Sequence, residues 1–264
     1  MISTQTGGAT ALHEHAPAAA EAFLLLQGVR PGGLFDEVLD SPAVAAFADQ
    51  FRLDVTGIDE QLRAGFADAT GERQFEVAQM VWVTDAAARL AAAMDGLFGP
   101  STWPVVPRRV PVASVWAKIE SFMAAVAHLH SLDPTTTELV RLRGARHHEC
   151  RICKSRRSVA AIEQGADEST FAAVDDYENS DLPEPAKAAL ALVDAVIWTP
   201  TAVPDEVVAA VRAHLTDGQA VEVVLEVVRN STNKIAVALG ADAPEVIEGV
   251  QLFVTDADGV LSTV

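Results

Sequence analysis

The chain has 264 residues, half of them hydrophobic and only 6% aromatic, enough material for a sizeable core. It carries 37 Asp and Glu against 19 Lys and Arg, a formal net charge of −18. A surface this acidic repels phosphate backbones and argues against nucleic-acid binding, and no run of 18 or more apolar residues offers a membrane span.

The opening stretch "MISTQTGGATALHEHAPAAAEAFLLLQG" has no basic region ahead of its apolar patch and does not read as a secretory leader, so a cytoplasmic location is expected. "SPAVAAFADQF" begins a helix with Ser41 as N-cap and Pro42 in the first turn. "GERQFEVAQMVWVTDAAARLAAAMDGLFG" reads as one long helix with Phe75, Ala78, Val81, Val83 and Leu90 on its apolar side, ending at Gly96 or Gly99. Residues 98–111 then hold four prolines, which cannot continue a helix and favour an extended linker. This divides the chain into a helical N-terminal region, 1–104, and a second unit, 112–264.

The second unit resumes with helices over "VASVWAKIESFMAAVAHLH" and over "DPTTTELVRLRGARHH", the latter with Asp133 as N-cap and Pro134 at its first position. "ECRICKSRRSVAAIEQG" is expected to form one helix from near Glu149 to Gly165. "LPEPAKAALALVDAVIW" and "VPDEVVAAVRAHL" are further helices. "TDGQAVEVVLEVVRNSTNKIAVALG" opens with a capping-box pattern at Thr216 and Gln219 and is expected to run to Gly240. The tail "QLFVTDADGVLSTV" alternates about an Asp-Gly step and predicts a small hairpin. Two long valine-rich helices, one late in each half, echo one another as a duplicated unit would, but the similarity is too slight to establish a repeat.

The chemistry points to the two cysteines, Cys150 and Cys153. Seven of the 19 cationic residues lie between Arg141 and Arg157, with Glu149 as the one acid among them. At i and i+3 on a helix the two thiols share a face, and a first-turn position beside cations favours thiolate, the reactive form. In a cytosolic setting a lone CxxC is redox-active or metal-binding rather than a staple. A zinc site would need Cys150 and Cys153 joined by His147 or His148, or by His128 and His130. The duller reading makes the cysteines small buried hydrophobes and the histidines helix C-terminal cations.

Glu138, eleven residues, Cys150, two residues and Cys153 resembles the Glu-x11-Cys-x2-Cys-x3-His signature of AhpD-like alkylhydroperoxidases, in the carboxymuconolactone decarboxylase family. The resemblance spans roughly 112–250. The earlier residues look like the helical lead-in of longer members, or a degenerate copy of the same unit. It implies an all-α helical bundle with the CxxC opening a helix and Glu138 on the helix before. It implies hydroperoxide reduction through a Cys150/Cys153 dithiol–disulfide cycle, restored by an external dithiol, with no cofactor and in a homo-oligomer. By the resemblance Cys153 attacks the peroxide, Cys150 resolves and meets the reductant, and Glu138 relays a proton. The residues alone also permit Cys150 as the attacking thiol. Arg157 stands where the family has His, and arginine cannot accept a proton. His147, His148 and Arg157 are therefore the groups left to relay protons or stabilise thiolate. The competing reading is non-catalytic, a redox-sensing or structural helical oligomer; the zinc-binding protein is a third.

Overall fold

A computed structural model describes residues 7–33, 36–104, 110–246, 249–256 and 259–264, and the fold is mostly helical. In chain order the elements are α1 (Gly8–His15), α2 (Pro17–Gln27), β1 (Val29–Pro31), α3 (Asp36–Leu39), α4 (Pro42–Leu53), α5 (Glu60–Thr70) and α6 (Gln74–Phe98). Then come β2 (Val110–Val112), α7 (Trp116–Ala127), α8 (Pro134–His147), α9 (Arg151–Lys154), β3 (Arg156–Ser158), α10 (Val159–Glu163) and α11 (Glu168–Ala172). The chain continues with α12 (Glu184–Trp198), α13 (Asp205–His214), α14 (Asp217–Asn230), α15 (Asn233–Ala238), β4 (Gln251–Thr255) and β5 (Leu261–Thr263). Short 3-10 turns cover Val55–Gly57, Gly71–Arg73 and Ala173–Asn179.

Several expected signals act as written. Asp133 accepts the Thr136 N–H at the start of α8, and Thr216 and Gln219 form a reciprocal capping box on α14. Helix α6 stops at Gly99, whose φ of 95° suits glycine. The tail forms an antiparallel hairpin in which Phe253 faces Thr263 and Thr255 faces Leu261. Asp258 of the Asp-Gly step lies outside the described residues.

Other expectations fail for tertiary reasons. Phe75 is 44% exposed and packs against Trp116, rather than entering the core. The single helix expected over 149–165 is cut after Lys154, because residues 156–158 pair in parallel with β4 from the C-terminal tail. The helix expected to reach Gly240 breaks at Ser231 and Thr232. Their hydroxyls bond the carbonyls of Val228 and Arg229, the local competition that interrupts a helix ladder. Beside the hairpin, β1 and β2 form a second short parallel pair, Val29 against Val110.

One large core contains apolar residues from α1 through α15, on both sides of the proline-rich segment. Phe122 of α7 lies 5.0 Å from Phe23 of α2 and 6.5 Å from Trp82 of α6, centroid to centroid. A smaller cluster, with Leu139, Leu142, Phe171 and Leu190, fills the space between α8 and the segment that follows the cysteines. Helix α8 is thus covered on two sides, which is why its buried positions include Glu138 and Arg141 as well as Leu139, Val140 and Leu142. Phe122→Ala should cost about 3–5 kcal/mol. Because Phe122 joins residues from both halves, chemical denaturation should still show one transition, and two separated transitions would contradict the shared core.

Candidate redox site

The CxxC sits at a turn made by the end of α8. His148 caps that helix, and Glu149 takes a left-handed conformation at φ 51°. The Glu149 N–H bonds the Arg146 carbonyl at 3.2 Å and the Cys150 N–H bonds that of Ala145 at 3.1 Å. This is the Schellman closure of a helix, with glutamate in the place glycine commonly takes. Cys150 therefore ends one helix and, with extended backbone, N-caps the next. Its Sγ accepts the Cys153 N–H at 3.3 Å, and the two cysteines form a disulfide with Cα atoms 5.3 Å apart.

The two sulfurs differ in access. Cys150 is fully buried, whereas Cys153 is partly exposed and lines an open cleft of about 720 Å3. The expectation of an exposed Cys150 that meets a partner is corrected: its position under the end of α8 shields it. The cleft is also lined by Arg141, Arg156, Arg229, Asn230 and Trp116. Arg229 and Asn230, on α14, were not singled out in the sequence, since nothing local ties them to a motif 80 residues earlier.

Glu138 reaches the cysteines through Arg141. Its carboxylate accepts two hydrogen bonds of 2.7 Å from the Arg141 guanidinium and one of 3.2 Å from the Ser158 N–H. Arg141 in turn donates to the carbonyls of Cys153 at 2.9 Å and Arg156 at 2.8 Å. Glu138 thus helps to fix the turn on which the cysteines sit.

Every cation of the basic segment has a carboxylate partner. Arg141 pairs with Glu138, Arg143 with Asp194, Arg146 with Asp175, Arg151 with Asp242, Lys154 with Glu149, Arg156 with Glu245 and Arg157 with Glu168. The cations expected beside the thiols are present, but each is paired with an anion that offsets its charge. Arg157 is not one turn along a helix from Cys153, because α9 has already ended. It is 6% exposed, chelates Glu168 with two 3.0 Å bonds, donates to the Lys154 and Arg156 carbonyls, and lies over the Phe171 ring.

The two histidines open elsewhere. His147 shares a 2.6 Å hydrogen bond with Asp194, and its Nδ1 accepts the Trp198 indole N–H at 2.9 Å, so both ring nitrogens are occupied. Burial works to raise the Asp194 carboxyl, but hydrogen bonds from His147 and Arg143 outweigh it and hold the group below its ordinary range. His148 is buried with Nδ1 unpartnered. Both histidines line a small cavity of about 20 Å3 with Arg89 and Lys234, room for one water, and neither cysteine lines it. Burial, then the charge of Lys234, push the His148 imidazole well below its ordinary value. Burial likewise lowers Lys234 to about 8, against the attraction of Asp85, which it contacts at 2.7 Å. Among the described residues no group of three or more His, Cys, Asp or Glu converges as a metal site.

The fold and site define a mostly helical protein with a CxxC disulfide at a helix start and one sulfur open to a cleft. Neither a family model nor a solved structure matches the sequence. The uncharacterized protein Rv2313c of Mycobacterium tuberculosis strain H37Rv is 37% identical over 234 residues, covering 83% of this chain and 81% of that protein. The uncharacterized protein YdfG of Bacillus subtilis is 30% identical over 132 residues, 49% of this chain and 90% of that protein. The chain belongs to the family of these proteins.

Two predictions follow from the geometry. Arg157→His removes a buried structural cation, so it should lower stability by about 1–3 kcal/mol in denaturant titration and leave thiol titration unchanged. For the small cavity, the folded state binds fewer protons than the unfolded chain wherever His148 or Lys234 has a depressed pKa. Stability should therefore fall as pH drops below about 6.5 through protonation of His148, with a slope of up to about 1.4 kcal/mol per pH unit. It should rise between pH about 8 and 10.5, where only the unfolded Lys234 still holds its proton. His148→Gln should flatten the acid limb of melts run from pH 7 to 5; an unchanged limb would assign it to other groups.

Proposed function

We propose that this protein is a cytoplasmic thiol-dependent peroxidase of the AhpD-like alkylhydroperoxidase kind, cycling between a Cys150/Cys153 dithiol and disulfide. The observation that carries the reading is the bridged pair itself, set at a helix start with one sulfur facing an open cleft. The Glu-x11-Cys-x2-Cys register supports it, and Glu138 contacts the turn through Arg141.

The accessible sulfur supports the following order of steps. Cys153 thiolate attacks the terminal peroxide oxygen, the O–O bond breaks, and the alkoxide leaves as alcohol by taking a proton from water in the cleft. The resulting Cys153 sulfenic acid condenses with the Cys150 thiol, releasing water and forming the disulfide. An external dithiol then attacks at Cys153, the reachable side, and departs as its own disulfide after supplying two electrons and two protons. Arg229 lines the cleft with Nη1 bonded to the Glu226 carboxylate, and its remaining guanidinium N–H groups are the donors offered to the departing oxygen, whereas the Asn230 amide gives its hydrogens to Glu226. Glu138, fully engaged by Arg141 and Ser158, acts by holding the turn. A homo-oligomer goes with this reading.

A non-catalytic redox sensor is favoured by one observation, the absence of a free histidine base beside Cys153 among the described residues. Peroxide consumption with several dithiol donors separates the two. The wild type should consume many equivalents per chain, Cys153→Ser should abolish consumption, and Cys150→Ser should accumulate a Cys153 sulfenic acid trappable by a diketone probe. Uptake of one oxidising equivalent per chain, with no turnover under any donor, would leave the sensor.

A further inference from the structure

We infer that Asp242 is the positioning residue that sets the thiol–disulfide balance of Cys150 and Cys153. It follows α15 and lies about 90 residues beyond the cysteines, yet it holds their turn with both its backbone carbonyl and its side-chain carboxylate. The Asp242 carbonyl accepts the Ile152 N–H at 3.1 Å, and its carboxylate accepts the Arg151 N–H at 2.9 Å. The Arg151 guanidinium closes on the same carboxylate, from Nη2 at 2.6 Å and from Nε at 3.2 Å. Asp242 is 4% exposed, and its buried carboxylate is fixed by three donors, all on Arg151, the residue after Cys150. Burial acts to raise its carboxyl, but the Arg151 side-chain and backbone hydrogen bonds prevail and keep it below the ordinary range.

The consequence for sulfur is electrostatic. In a free first turn, the N–H groups of residues 151, 152 and 153 would all be available to a thiolate at the N-cap. Asp242 takes the first two. One donor remains for Cys150 Sγ, the Cys153 N–H at 3.3 Å. A fixed carboxylate in place of those donors disfavours thiolate and so disfavours the reduced, ionised pair. The other charges on the turn are arranged as pairs: Lys154 with Glu149 across it, Arg141 on the Cys153 carbonyl but bound to Glu138, and Arg156 bound to Glu245. Burial holds the adjacent His148 imidazole well below its ordinary value. Asp242 and Arg151 are therefore the charge pair that touches the CxxC turn at its N–H groups. The inference rests on the proposed redox cycle only in taking the pair to be reduced and oxidised in use.

The test uses the full chain and two variants with opposite expected signs. Thiol ionisation is read from alkylation rate against pH. The thiol–disulfide equilibrium is read at pH 9 against oxidised and reduced dithiothreitol, which exchanges two electrons and two protons with the pair. Asp242→Asn keeps the carbonyl contact, removes the anion and frees the Arg151 cation. It should lower at least one thiol pKa and move the equilibrium toward dithiol by threefold to tenfold, where tenfold is about 30 mV for this two-electron couple. Arg151→Gln, at a side chain 56% exposed, leaves the anion uncompensated and should shift both readings the other way. Simple loosening of the turn would move both variants in one direction. Shifts of the same sign, or no shift in either, overturn the assignment. If Asp242→Asn does not fold, Arg151→Gln decides alone: a rise in thiol pKa supports the assignment and its absence overturns it. Neither readout uses peroxide, so opposite shifts in a protein without turnover would keep Asp242 in this role and remove the proposed function.

Discussion

The pairing of residues 141–157 with seven carboxylates is the constraint on which the site depends. The carboxylates come from α8 itself, from Glu149 at its end, from α11, from the 3-10 turn at 173–179, from α12 and from two positions after α15. A protein with an excess of 18 negative charges thus gathers seven of its cations where distant segments must dock. Most of these pairs have one exposed partner, and each contributes little alone, at most about 1 kcal/mol. Glu138 and Arg141 are different. Both are buried, so breaking their contact strands a charge, at a cost of about 3–5 kcal/mol. The collective effect is geometric: the segment carrying the cysteines is tied down on every side.

This changes the meaning of the basic cluster for sulfur chemistry. Cations next to a thiol depress its pKa when their charge is free to act on it. Here each cation already has an anion, and Asp242 brings a buried negative charge to the CxxC turn. The helix the cysteines open is four residues long, too short for an extended dipole to matter. What distinguishes the sulfurs is access: Cys150 is enclosed by the closing turn of α8, and Cys153 faces the cleft.

The residues around that turn fall into two compartments. The cleft at Cys153 is open and lined by arginine, asparagine and an aromatic side chain from α7, α8, α14 and β3. The cavity at His147 and His148 is small and lined by Asp54, Arg89 and Lys234, the last two held by Asp85 of α6. Helix α8 ends between them. The buried, pKa-shifted His148 and Lys234 line the cavity, whereas the partly exposed sulfur lines the cleft.

Local signals in the sequence determined most of the helices, their caps and the C-terminal hairpin, because Asp133, Thr216 and Gly99 act within one turn of the chain they control. The Cys150–Cys153 pairing was also legible, since a three-residue spacing at a helix start brings the two sulfurs within bonding reach. The helix break after Lys154 was not, because its cause is β4, about a hundred residues away. The same holds for Arg157, whose helical register dissolved when the strand formed, turning a candidate proton-relay position into a buried contact with Glu168. Asp242, Arg229 and Asn230 carry no motif of their own. Their roles arise where the end of α14 and the segment after α15 return to the cysteines, and periodicity cannot encode a contact between segments so far apart. The sequence by itself therefore determined which two sulfurs are joined. Only the tertiary structure decided which sulfur meets solvent and which charges surround it, because burial and ion pairing are set by what packs against a turn, not by the turn's own residues.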